Sequence, residues 1–109
     1  MILQVDLTAT PAGVSLESAQ DCGRFHVSVT GSRDPVRLGA ALSLAGVGRA
    51  LDDDHVWVQV DAVRSLAAPR VEPGWEESFA GMLTYAASKG WLDEAGDAIQ
   101  AHIEWPASG

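Results

Sequence analysis

Apolar and polar residues alternate along several stretches of the chain, the two-residue period of a strand with one buried face. Leu3-Gln4-Val5-Asp6-Leu7 is the first such stretch. Turn chemistry follows at Thr10-Pro11-Ala12-Gly13, and Val14-Ser15-Leu16-Glu17 resumes the alternation. After a second turn at Gln20-Asp21-Cys22-Gly23, Phe25-His26-Val27-Ser28-Val29-Thr30 reads the same way. Short strands joined by tight turns predict an antiparallel meander.

The period then changes. Asp34-Pro35 is a helix start, because Asp caps free N–H groups and Pro fits the first turn. Val36, Ala40, Leu44, Val47 and Leu51 fall on one helical stripe, with Leu38, Leu42 and Ala45 beside it. Gly39 and Ser43 suit close packing on a sheet, whereas Gly46 and Gly48 predict a kink or an early end. Asp52-Asp53-Asp54 reads as a solvated loop, and His55-Val56-Trp57-Val58-Gln59-Val60-Asp61-Ala62 as an unbroken strand. Pro69 to Gly74 is a loop. Trp75, Phe79, Met82, Leu83 and Ala86 make the face of a second helix, which Lys89 and Gly90 close. In the tail, Ala95, Ile99 and Ile103 fit a helix, but Ile99 to Trp105 keeps a strict period of two and is assigned to a fifth strand.

The order β-β-β-α-β-α-β predicts an α+β two-layer sandwich, a mostly antiparallel five-stranded sheet with two helices on one face. Leu3, Val5, Leu7, Phe25, Val27, Val29, Val56, Val58, Val60, Ile99 and Ile103 should face the helices. By elimination the uncovered face carries His26, His55 and His102, every histidine of the chain, with Trp57, Gln59, Asp61 and Glu104.

Composition adds limits. The 109 residues, 47% hydrophobic, suit a single domain over 1–109. Seventeen Ala, no Asn and one Lys against six Arg indicate a GC-rich bacterial source. The lone Cys22 excludes a disulfide framework and a cysteine zinc cluster within the chain, and nothing around it in sequence would activate its thiol. Asp6 interrupts the first apolar segment, so no leader is recognised, and no run has the ~18 apolar residues of a membrane span. A cytoplasmic location is expected. The net charge of −8 disfavours nucleic acid and anionic membranes as partners.

Gly46-Val47-Gly48 lies within a helical pattern and is no dinucleotide fingerprint. No cofactor or metal site is assigned, although three imidazoles on one face, or the Asp52-Asp53-Asp54-His55 run, have the donors for a cation. Trp91 beside Gly90 is either a hydrophobic stop or the lining of a small pocket. An indole at Trp57, in mid-strand on the polar face, needs cover. The preferred expectation is a non-catalytic module, a homodimer or one with a protein partner, that pairs through the face around Trp57. The alternative is a small-molecule enzyme or binding protein, with a histidine oriented by Asp61 or Glu104.

Overall fold

In the computed structural model, which describes residues 1–9 and 11–106, Ile2–Asp6 (β1) and Gly13–Glu17 (β2) form an antiparallel hairpin. Thr10, where the first turn was expected to begin, lies outside the described residues. His26–Thr30 (β3) does not continue a meander. It pairs with the other side of β1, in parallel, with Leu3 opposite Val27 and Val5 opposite Val29. The connection over residues 18–25 is too long for a tight hairpin and passes the start of β1 instead. There the N-terminal ammonium donates to the carbonyls of Asp21 and Arg24 at 2.9 and 3.0 Å.

Pro35–Leu44 (α1) starts as its sequence predicts, with the Asp34 carboxylate accepting from the Arg37 N–H at 3.0 Å. It ends before the glycines, and Gly48–Ala50 (β4) is a short strand that the sequence reading lacked. The reason is a close approach. A Cβ at Gly48 would lie 2.2 Å from the Trp57 carbonyl oxygen, so only glycine lets this strand reach its neighbour. The buried stripe of α1 is also corrected: Leu38 and Leu42 face inward, whereas Val36 and Leu44 are 82% and 81% exposed. Both stripes are apolar, and the choice follows from Gly39, which sets α1 against Ala50 of β4.

His55–Gln59 (β5) is the predicted strand cut short, because Val60–Ala67 (α2) turns the chain into a helix at once. Val60, Val63 and Ala67 are its buried face, and Asp61 sits in its first turn rather than on the sheet. A 3-10 turn at Ala68–Arg70 leads to Trp75–Ser88 (α3), as predicted, and Ala98–Glu104 (β6) is the predicted tail strand. Phe25 and Trp105 fall just outside β3 and β6.

Among the described residues the fold is therefore α+β, with three α-helices and a six-stranded mixed sheet in the order β2-β1-β3-β6-β5-β4, curled into a half-barrel. β1–β3 and β3–β6 are parallel and the remaining neighbours antiparallel, which replaces the mostly antiparallel five-stranded sheet and two helices of the sequence reading. Inward residues of the central strands and the buried faces of all three helices share one apolar cluster. Trp75 anchors it: its ring stacks on Phe79 at 4.7 Å and its indole N–H donates to the Ala19 carbonyl at 2.6 Å. No helix among the described residues is long and apolar enough to cross a membrane.

Candidate functional site

The parallel β3–β6 and antiparallel β5–β6 pairings decide how the outward side chains meet. His26 is opposite His102, and His102 is opposite His55, so the three imidazoles form one row across adjacent strands. The His55 and His102 rings meet edge to face, with centroids 6.0 Å apart. Each outer histidine has a carboxylate partner: His26 Nε2 lies 3.4 Å from Glu104, and His55 Nδ1 lies 3.0 Å from Asp52. Glu104 is one of the two carboxylates named from sequence. The other, Asp61, is turned away in α2, where it lies 3.5 Å from Arg64.

Asp52 was read as part of a solvated loop. It accepts from the Asp54 N–H at 2.8 Å and bonds His55, and these contacts hold its carboxyl below the ordinary carboxylate value. The signal that could have revealed this was the three-residue spacing to His55 across a turn. Among the described residues no three His, Cys, Asp or Glu side chains are arranged to hold a metal ion.

Trp57 faces outward, as its alternation with Val56 and Val58 predicts, and is half-buried, with part of its cover supplied from within the chain. The Arg49 guanidinium of β4 lies 5.6 Å from its ring centroid, the geometry of a cation–π contact. Gln59, at the end of β5, is half-buried opposite Ala98, away from the histidine row.

A wide opening lies where β3 parts from β6. The two strands pair only from His26–Ser28 to His102–Glu104. Beyond that point β6 bonds the segment after α3: the Gln100 N–H donates to the Trp91 carbonyl at 2.7 Å, and the Asp93 N–H to the Ala98 carbonyl at 3.0 Å. The exchange of partner leaves a gap bounded by Phe25 on one side and Trp91 on the other. Ile99 and Gln100 of β6 and Met82 and Tyr85 of α3 also line it. The resulting cavity has a volume of about 390 Å³. Tyr85 and Trp91 hold each other edge to face at 5.9 Å, so two aromatic walls are set by mutual packing.

A smaller cavity of about 160 Å³ adjoins it, lined by Phe25, Trp91 and Gln100 together with His55 and His102. Those three shared residues connect the apolar space to the histidine row. Trp91 is thus pocket lining, the alternative raised from its place beside Gly90. Nothing in the sequence pattern marks Phe25, Tyr85 or Gln100 as pocket lining, because their meeting depends on a strand order that periodicity does not carry. Cys22 also lines the larger cavity, and burial pushes its thiol above the ordinary value, which favours the unreactive protonated form. Burial lowers the neighbouring N-terminal ammonium, with Asp21 acting in the opposite direction.

Compared with known proteins, the chain matches no family model, no curated protein and no solved structure.

Proposed function

We propose that this chain is a small-molecule-binding protein whose ligand occupies the cavity between β3, β6 and α3, with His55 and His102 at its rim. One observation carries the reading: an opening of about 390 Å³ with aromatic walls joins a polar pocket formed by Gln100, His55 and His102. Binding sites have this design, an apolar volume for affinity and a few polar groups for orientation. His55, oriented by Asp52, and His102 line that polar pocket and would hold or act on a polar group that reaches it, whereas His26, paired with Glu104, lines neither cavity. The lone cysteine and the acidic surface support a cytoplasmic bacterial protein that does not take nucleic acid or anionic membranes as partners.

The test is a fragment screen by thermal shift on the wild type and on Gly81→Leu. Gly81 lines the cavity, and a Cβ there meets nothing within 4 Å, so leucine fills the space without straining α3. Fragments that stabilise the wild type should lose their effect on the variant. Equal stabilisation of both proteins would contradict the reading.

Self-association is the second reading, and two exposed apolar residues of α1 support it beside Trp57. Val36 and Leu44, two turns apart, are the most exposed large apolar residues. Sedimentation velocity across a dilution series separates the two surfaces. Leu44→Glu should dissociate a dimer held through α1, and Trp57→Ala one held through the sheet.

A further inference from the structure

Resting on the cavity reading above, we infer that the ligand is an amphipathic monoanion, an apolar body bearing one carboxylate, and that Arg24 receives the charged end. The chain has fifteen acidic residues against seven basic ones, yet no carboxylate lines the larger cavity and Arg24 does. Every other arginine is engaged. Arg33 lies 3.4 Å from Asp54, and Arg64 lies 3.3 Å from Glu76. Arg37 and Arg70 each donate to a backbone carbonyl at 2.8 Å, on Leu7 and Leu16 respectively. Arg49 covers Trp57. Among the described residues the Arg24 guanidinium has no such partner, and it stands exposed at the cavity wall.

The surroundings favour an anion further. Lys89 Nζ lies 5.5 Å from the centroid of Tyr85, which places a second cation beside a lining ring. The N-terminal ammonium bonds the Arg24 carbonyl and holds the loop that carries this side chain. Asp21, the one acid of that loop, is not among the lining residues, and its carboxylate accepts from the Gly23 N–H at 3.0 Å. One guanidinium fork matches one carboxylate in a bidentate pair. A polyanion such as a nucleotide would need more fixed cations than this wall supplies. The volume fits an aromatic ring on a short chain.

Three probes of one shape test this: 4-phenylbutyrate, 4-phenylbutan-1-ol and 4-phenylbutylammonium, titrated by calorimetry at low ionic strength. The carboxylate should bind about tenfold more tightly than the alcohol, as expected of a charged hydrogen bond, and the ammonium most weakly. Arg24→Gln, a change at an exposed position, should bring the carboxylate to the level of the alcohol and leave the alcohol unchanged. Added salt should narrow the wild-type difference. If carboxylate and alcohol bind alike, or if the carboxylate keeps its advantage in Arg24→Gln, the anion inference is overturned while cavity binding stands. If none of the three binds at millimolar concentration, or all bind Gly81→Leu unchanged, the cavity reading fails and this inference fails with it.

Discussion

Glycine to alanine is one chemical change, and the structure assigns it opposite signs at two positions. At Gly81, in the interior of α3, the new methyl group points into open space. The variant therefore gains the difference in helix propensity, about 1 kcal/mol. An unfolding entropy of about 2.1 cal/mol/K per residue gives roughly 0.23 kcal/mol/K over 109 residues, so Tm should rise by about 4 °C. At Gly48 the same methyl group would sit 2.2 Å from the Trp57 carbonyl oxygen, with the Trp57 carbonyl carbon and the Val58 Cα both at 3.3 Å. These are backbone atoms, so no rotamer relieves the overlap, and β4 must move by about 1 Å to restore ordinary contact. Overpacking of that kind costs about 2–3 kcal/mol, or roughly 10 °C in Tm. Thermal melts followed by circular dichroism, with urea midpoints as a second measure, read both variants directly. Gly48→Ala melting with or above the wild type would refute the packing of β4 on β5, and Gly81→Ala melting below the wild type would refute the open space at that position.

Other outcomes follow from named contacts. Trp75→Phe keeps a ring against Phe79 but leaves the Ala19 carbonyl without its buried donor, and should cost about 1–3 kcal/mol in urea titration. Acid should destabilise the fold through two turn carboxylates. Asp6 is held below its ordinary value by the Thr8 hydroxyl and then the Thr8 N–H, and Asp52 by the Asp54 N–H and then His55. A native value below the unfolded one means that each group stabilises the fold above about pH 4, with the contribution lost as pH falls through the native value. The stability gap between wild type and Asp52→Asn should thus be present at pH 6 and close below pH 4. A gap of equal size at pH 3 would show that the carboxylate charge plays no part.

Much of the fold was legible because alternation is a local property. Val56 and Val58 are almost wholly buried, and between them Trp57 faces the other way, as their period requires. The same rule failed at Val60-Asp61-Ala62, where a strand pattern and the helical spacing of Val60, Val63 and Ala67 fit the same residues. It was silent on α1, whose two stripes are both apolar, so that contact with β4 and not hydrophobicity chose Leu38 and Leu42. Strand order lies beyond any local pattern. Periodicity put His26, His55 and His102 on one face, but only the crossing of β3 past β1 and its parallel pairing with β6 set them side by side. The cavity has the same origin. Phe25 and Trp91 stand at the ends of their elements, where periodicity carries least information, and they meet because β6 changes partner midway along its length.

The proposed ligand site, where β3 and β6 separate, should accept a small molecule with an apolar body whether or not it carries a charge. The most direct measurement is a ¹H–¹⁵N correlation spectrum of the labelled protein titrated with 4-phenylbutan-1-ol, a neutral probe indifferent to the role of Arg24. Saturable shifts are expected at the amides of Phe25, Tyr85 and Gln100 and at the indole N–H of Trp91, with the Trp57 indole unmoved. Shifts centred on Trp57 and Arg49, or none at millimolar probe, would contradict the proposed site.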